Sequence, residues 1–141
     1  MARVVLTDAN VLFASNDISQ YITSVSLSTS VDVIETTGLG STARTRVGGL
    51  FDNSITIEFN QDFADNALEE LINGTSLATT TVGTTVAMQV KPTSGSTSAS
   101  NPKYTFNALI AEWQPLSASV GELATVSVTW PISGNITKAI S

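Results

Sequence analysis

The stretch of this sequence with the most obvious chemical potential is a glycine-rich segment that also carries positive charge. Residues 38–43 read GLGSTA, the G-x-G-x-x-A spacing of a dinucleotide-binding loop, and they follow an apolar run. Arg44 and Arg46 come directly afterwards, in a chain that has only six basic residues. Such a segment could bind a phosphate group. This hypothesis requires a helix in the residues that follow.

A dinucleotide-binding loop must lead into a crossover helix, because the pyrophosphate is bound at the N-terminus of that helix. Here Gly48-Gly49 and Asp52-Asn53 follow too soon to leave room for a helix of about ten residues or more. The sequence therefore predicts a loop in this stretch and no nucleotide site.

Other catalytic groups are scarce. The chain has no His and no Cys, which removes the commonest general base, the commonest transition-metal ligand and all thiolate chemistry. Acid pairs occur at Asp62 with Asp65 and at Glu69 with Glu70, but Asp is typical of helix starts and Glu of exposed helix positions. None of the three lysines stands in a Ser-x-x-Lys pattern. We expect no enzyme, no cofactor and no metal site.

Length and charge narrow the function classes further. The 141 residues suit a single domain, residues 1–141, and the net charge of −6 argues against a nucleic-acid grip. Only 13% of the residues are charged, so the surface lacks the usual protection against self-association. The N-terminus is a poor signal peptide, and no apolar run approaches the roughly 20 residues of a membrane span. We expect a protein made and used without secretion and without a membrane anchor.

Apolar and polar residues alternate along much of the chain, which predicts strands with one buried face. The predicted strands are residues 4–6, 11–13, 24–33, 54–60, 86–90, 103–113 and 124–132. Alternation rather than continuous apolar runs indicates sheets covered on one face only. The fold class expected is mainly β, an antiparallel β-sandwich or barrel.

One helix and two loops complete the predicted fold. Apolar residues four apart over residues 63–73 predict a flanking amphipathic helix that covers one end or face of the sheets. A long extended arm between strands is predicted at about residues 36–50, and residues 92–102 are predicted to be a flexible, exposed hairpin connection.

The two tryptophans differ in their expected surroundings. Trp130 shares its parity with Val126 and Val128, so we expect it in the core. Trp113 has the opposite parity from Tyr104, and we consider an interface or ligand contact for it, since Trp is favoured at such places.

The order of these features resembles the tail tube proteins, or major tail proteins, of long-tailed bacteriophages. The resemblance covers nearly the whole chain and is carried by a strand running into VDVIETTGLGSTARTRVGGLFDNSITIEFNQDF, a helix ALEELI and the late segment PKYTFNALIAEWQPLSASVGELATVSVTWPISG. It implies a β-sandwich or barrel subunit with a flanking helix. Such subunits assemble as hexameric rings that stack into a hollow tube, through which the genome passes.

The resemblance also implies where subunits meet. The long loop of the family reaches a neighbouring subunit or ring, and in this chain the contact residues would be Gly38, Gly40, Arg44, Arg46, Gly48 and Gly49. The partners implied are other copies of the chain and tail proteins such as the tape measure and terminator, with DNA passing through without specific binding. The implied location is the virion tail, after assembly in the host bacterial cytoplasm. We expect the loop to order only on assembly.

The residues themselves suggest what would line such a tube. The even-numbered positions of Ser24–Asp32 and the face of Thr56, Glu58 and Asn60 offer neutral hydroxyls with a few carboxylates. A lumen of this kind repels DNA mildly and does not bind it. We therefore expect Asp32 and Glu58 to face the lumen.

Two other functions remain open from the sequence. One is a capsid-decorating or head-to-tail joining protein, which would bind another protein rather than itself in long stacks. The other is a carbohydrate-binding module, which would place Trp113 at an exposed site together with Tyr21 or Tyr104.

Overall fold

The computed structural model describes residues 9–14, 16–61, 72, 81–114, 116 and 118–140. This part of the chain is mainly β, with eight strands and a single 3₁₀ turn at Ser19–Tyr21. The strands are β1 Asn10–Phe13, β2 Asn16–Asp17, β3 Ile22–Glu35, β4 Arg46–Asn60, β5 Thr85–Lys91, β6 Lys103–Leu109, β7 Thr125–Ile132 and β8 Thr137–Ala139.

All the strands belong to one open sheet. Its order is β2-β1-β5-β6-β7-β4-β3, with β8 paired to β6, and every pairing is antiparallel. The predicted mainly-β, antiparallel class is confirmed. Two separate sheets or a closed barrel are not seen in the described residues, because β6 pairs with β5 on one side and reaches β7 through Ala108 and Ile132 on the other.

The sheet curls so that its two halves share one core. The rings of Phe13 on β1 and Trp130 on β7 lie 6.1 Å apart between centroids. These strands are three positions apart in the sheet, which would be about 14 Å in a flat sheet with neighbours spaced about 4.8 Å. The apolar faces of the β1-β5-β6 half and the β7-β4-β3 half therefore face each other.

The predicted alternation is seen on the second half of β4 and along the whole of β7. Ile55, Ile57 and Phe59 are fully buried, while Thr56 and Glu58 between them are exposed. Trp130 is also fully buried, as expected from its parity, and its indole Nε1 donates to the Glu112 carbonyl at 2.8 Å. The buried apolar residues form one cluster: Val11, Phe13, Ile18, Ile55, Ile57, Phe59, Ile72, Met88, Phe106, Ala108, Ile110, Val126, Val128, Trp130 and Ile132.

Other predicted elements have mixed outcomes. The structure has strands at six of the predicted positions, the exception being residues 4–6, which lie outside the described residues. The predicted flanking helix at 63–73 also lies outside them, except for Ile72, which is buried in the core. The strands β2 and β8 were not predicted, because two or three residues are too few to show alternation.

The connection between β5 and β6 joins a hairpin, as predicted. Its centre is the buried side chain of Asn101, whose Nδ2 donates to the carbonyls of Gly95 and Ser96 at 3.1 Å each. The Asn101 Oδ1 accepts from the Thr93 N–H at 3.1 Å. This Ser/Gly-rich connection is therefore held by one amide, a feature that its composition does not indicate.

The burial pattern of β4 predicts a large difference between neighbouring substitutions. Ile57→Ala removes a fully buried side chain from the centre of the core, so we expect the free energy of unfolding to fall by about 2–5 kcal/mol. Chemical denaturation of the dilute protein, followed by tryptophan fluorescence, measures this change.

The matched control is Thr56→Ala, one position earlier on the exposed face of the same strand. This change should stay within about 0.5 kcal/mol of the parent protein. Equal losses from the two variants would contradict the assignment of faces.

Candidate inter-subunit surfaces

The outer face of β3, β4 and β7 is an exposed surface of hydroxyl groups, here called the hydroxyl face. In register across the three strands, Ser26 lies beside Thr56, and Thr56 lies beside Thr129. The Thr56 and Thr129 hydroxyls are 3.2 Å apart. The face consists of Ser24, Ser26, Ser28, Ser30, Ser54, Thr56, Glu58, Ser127 and Thr129. No Lys or Arg is among these residues, so the face is neutral to acidic.

Glu58 and Asp32 lie at different places along this surface. Glu58 lies near the end of β4, between Ser24 on β3 and Ser127 on β7. Asp32 lies eight residues further along β3 than Ser24, about 26 Å away at roughly 3.3 Å per residue. Both are exposed. The structure thus does not bring the two predicted lumen residues together, although both lie on even-numbered positions of one ribbon face.

The hairpin of β3 and β4 extends beyond the core as an arm, defined here as residues 30–52. Its strands run to Glu35 and from Arg46, so the connecting loop covers only residues 36–45. The Thr36 N–H donates to the Thr45 carbonyl at 2.8 Å, and the Thr45 N–H to the Thr37 hydroxyl at 3.0 Å. The predicted loop of residues 36–50 is thus too long, since residues 46–50 belong to β4.

Gly48 and Gly49 are strand residues at an irregularity in the pairing of β3 and β4. The register shifts between the pair Val31–Phe51 and the pair Val33–Gly48. A Cβ on Gly49 would lie 2.9 Å from Ile34 Cδ1 and 3.3 Å from the Asp32 carbonyl oxygen. Gly49 is therefore required by close packing at a β-bulge rather than by loop mobility.

The arm exposes an unusual amount of apolar surface on both sides of its ribbon. Leu39 at the loop is fully exposed, and the exposed apolar residues of the strands are Val31, Val33, Ile34, Val47, Leu50 and Phe51. Beyond Thr29, β3 runs for a further six residues, about 20 Å at roughly 3.3 Å per residue. Monomers rarely expose an apolar ribbon of this length, which is typical of a surface for association.

The two predicted arginine contacts differ in their surroundings. Arg44 lies exposed in the 36–45 loop. Arg46 lies directly opposite Glu35 on the same hairpin, and opposite charges at such a cross-strand position attract weakly. Arg44 is thus the arginine with more freedom to contact a neighbouring molecule, a distinction that needs the register and so is invisible in the sequence.

Asn53 joins the arm to the rest of the sheet. Its side chain is 3% exposed although it occupies a core-facing position of β4. The Asn53 Nδ2 donates to the Gly134 carbonyl at 3.0 Å, and the Asn53 Oδ1 accepts from the Thr29 hydroxyl. One amide therefore links β3, β4 and the turn after β7 at the base of the arm.

Trp113 is partly buried and packs against the core, where its ring lies 5.5 Å from that of Phe59 at an angle of 73°. Its indole Nε1 is buried without a hydrogen-bond partner among the described residues. Tyr104 lies near the opposite end of β6, so these two rings do not form a common platform. An interface role for Trp113 stays a prediction.

The glycine-rich stretch leads into the antiparallel strand β4, which confirms that no crossover helix follows it. Within the described residues there is no cluster of three or more acidic side chains that could hold a metal ion. Those residues also contain no helix long and apolar enough to cross a membrane. The acid pairs at 62, 65, 69 and 70 lie outside the described residues.

Comparison with solved structures shows where this fold occurs. A chain in the virion of a native gene transfer agent particle superposes with a TM-score of 0.73 at 16% identity, covering 97% of this chain and 99% of that one. A chain in the tail of an empty gene transfer agent particle, determined with C6 symmetry, gives 0.61 at 16% identity, covering 88% and 85%.

A third chain, from the sheath–tube complex of an extracellular contractile injection system called PVC, gives 0.62 at 14% identity, covering 99% and 93%. The protein with the sequence above therefore has the fold of proteins found in tail assemblies. The predicted likeness to tail tube proteins is confirmed at the level of the fold, whereas the sandwich or barrel form and the flanking helix that it implies are not. No family model and no curated protein matches the sequence.

The hydrogen bonds of Asn53 predict that the base of the arm is sensitive to substitution. Asn53→Ala leaves the Gly134 carbonyl and the Thr29 hydroxyl without this partner, so we expect a loss of about 1–3 kcal/mol in the free energy of unfolding. Amide hydrogen exchange should also become faster at the base of the arm.

Asn107→Ala is the matched control, because Asn107 is exposed on β6. That variant should unfold with a free energy within about 0.5 kcal/mol of the parent. Unchanged exchange and stability in Asn53→Ala would rule out the linking role of this amide.

Proposed function

We propose that this protein is a tail tube subunit that assembles into hexameric rings, which stack into a hollow tube for genome passage. The observation that carries the proposal is the similarity over almost the full length to a chain of a gene transfer agent virion. A second chain with this fold belongs to a tail with C6 symmetry, which supports six subunits per ring.

The physical features of the chain favour self-assembly. Within the described residues, β3 has a strand partner on one side only, so its 14 residues present a row of backbone groups for a neighbour. An unprotected edge of this length would promote aggregation of a monomer, whereas in a ring it can pair with a neighbouring subunit. The low charge of the chain removes the repulsion that would otherwise oppose close packing of many copies.

The hydroxyl face is the surface that we assign to the lumen. It is continuous across β3, β4 and β7, carries Glu58, and contains no basic side chain. A surface of this charge repels phosphates weakly and offers no ion pairs that would retain DNA. Asp32 extends the same character along the arm.

The arm is the element that we assign to contacts between subunits. Gly40, at a φ of 84°, lets its loop turn, Gly49 allows the bulge, and Arg44 and Arg46 would meet acidic groups of a neighbour. Other tail proteins, such as the tape measure and terminator, are the further partners of a tube subunit. No catalytic step is part of this function, and the protein would be located in the tail of the particle.

Negative-stain electron microscopy of the purified protein tests the proposal. We expect six-fold rings or tubes with a central hole, since rings and stacks need only this chain. A protein that stays monomeric at high concentration, or that binds a single ring of another tail protein, would instead indicate a joining or decorating role. The Arg44→Ala, Arg46→Ala double variant should stay folded and form fewer tubes, and added salt should weaken assembly of the parent.

The lumen assignment predicts a gain of DNA binding from one substitution. Thr56→Lys places a cation at the centre of the hydroxyl face, and every subunit of the tube repeats it. We expect tubes of this variant to retain a short DNA duplex, with a retention that falls steeply as salt rises. Nuclease protection of labelled DNA measures the effect.

Asn107→Lys provides the matched control, since it adds the same charge at an exposed position of β6 in the other half of the sheet. Tubes of this variant should leave the DNA open to nuclease. Equal protection by both variants, or protection by neither, would remove the lumen assignment.

A further inference from the structure

The arm diverges from the rest of the sheet and leaves a cleft behind it. β4 pairs with β7 as far as Asn53 and Ile132, whereas the chain after β7 continues along β6 as β8. The two ribbons therefore separate beyond Asn53, and a cleft of about 770 Å³ lies between them and extends back along β3 to Val25. It is the size of a site that holds several side chains of a partner.

The lining of this cleft is apolar with a positive rim. Leu27 and Phe51 come from the arm side, and Val90, Tyr104 and Ile136 from the opposite side. Lys91 and Lys138 also line it, and no Asp or Glu does. In a chain with twice as many acidic as basic residues, this arrangement selects an apolar partner segment that carries a negative charge.

A segment of that chemistry is present at the other end of the molecule. In the loop between β6 and β7, Leu116, Val120 and Leu123 are exposed by 74%, 106% and 68%. Glu122 lies among them and is exposed, and residues 116–123 contain no basic side chain. These four residues are here called the loop patch.

The cleft and the loop patch lie at opposite ends of the same strands. The loop patch precedes Thr125, the first residue of β7, and Ala124 in the same loop accepts from the Gln61 N–H just beyond the end of β4. The cleft extends along β3 from Val25 and Leu27, and its lysine rim lies beyond Ile132, the last residue of β7. Lys138 pairs with Tyr104, four residues along β6 from Ala108, the partner of Ile132. Ile132 itself is about 23 Å from Thr125 at roughly 3.3 Å per residue. Copies that stack end to end thus bring one loop patch to the next cleft.

We propose that the cleft of each subunit receives the loop patch of the subunit stacked above it, a contact that rests on the proposed tube function and specifies how successive rings join. Val120 and Leu123 fill the apolar cleft, and Glu122 lies between Lys91 and Lys138 at its rim. The contact is heterologous, so it repeats indefinitely along a stack.

The arm of a neighbouring copy is a less suitable occupant. The arm and the cleft lie at the same end of the molecule, because the arm is the continuation of the strands that form one wall of the cleft. In an end-to-end stack the arm tip therefore extends past the cleft of its own ring, along the side of the next ring. The ends that meet directly are the loop patch and the cleft.

Cysteine pairs test this contact directly, since the natural chain has no Cys. Val120→Cys in the loop patch and Asn135→Cys in the cleft are both exposed positions. The double variant, assembled and treated with a short bismaleimide, should give a ladder of covalent multimers on a denaturing gel. Each single variant should give no ladder. The Leu39→Cys, Asn135→Cys double variant would give a ladder only if the arm tip of a neighbouring copy occupied the cleft instead.

A charge exchange provides a second readout. Glu122→Lys should raise the concentration needed for tube formation about fivefold, the effect of losing one exposed ion pair per contact. Adding Lys138→Glu to that chain should bring the concentration back to within about twofold of the parent, while rings stay six-fold throughout.

The outcomes separate the contact from the function on which it rests. Tubes that form normally with no ladder from the Val120–Asn135 pair, or a ladder only from the Leu39–Asn135 pair, would overturn the cleft contact and leave the tube function standing. A parent protein that forms neither rings nor tubes would overturn both. A ladder together with rescue by the charge exchange supports the contact.

Discussion

The register of β4 between its two neighbours is the constraint on which the other features of the structure depend. β4 is hydrogen-bonded to β3 on one side and to β7 on the other, so side chains of the three strands form rows. Ile55 and Ile57 point into the core, and Thr56 between them points outward. A slip of one residue would exchange the two faces, so the buried isoleucines also determine where the hydroxyls lie.

β4 is longer than the core that it crosses, and its extra length forms one strand of the arm. The core-facing positions of β4 are apolar from Phe59 to Ile55, and then Asn53 places a buried amide there. A buried amide needs partners, and it finds them in Thr29 and in the turn at Gly134. Beyond this point no β7 residue accompanies β4, so the ribbon continues alone and its apolar side chains stay uncovered.

Period-two alternation was enough to predict the main strands and the hydroxyl face, because both depend only on neighbouring residues. It did not predict that Gly48 and Gly49 belong to a strand, since glycine pairs are typical of loops and the bulge at Asp32 that requires them involves a residue 17 positions away. The pairing of Arg46 with Glu35 was hidden for the same reason. Alternation shows which face of a strand is buried, but not how the strands are arranged or how their sheet curls. For this reason the sequence predicts a sandwich or barrel, whereas the structure has one open sheet.

The two ends of this sheet differ in a way that restricts how copies can associate. One end carries the arm and a cleft with a lysine rim, and the other carries exposed apolar side chains around Glu122. A two-fold pairing made end to end would join like ends, placing lysines against lysines or Glu122 against Glu122, and would leave the other apolar ends exposed. In the head-to-tail stack proposed above, every junction covers both kinds of end, and only the two free ends of the stack stay uncovered. The physical chemistry of the ends therefore favours head-to-tail contacts between copies over an end-to-end dimer, and head-to-tail contacts are what the proposed tube requires.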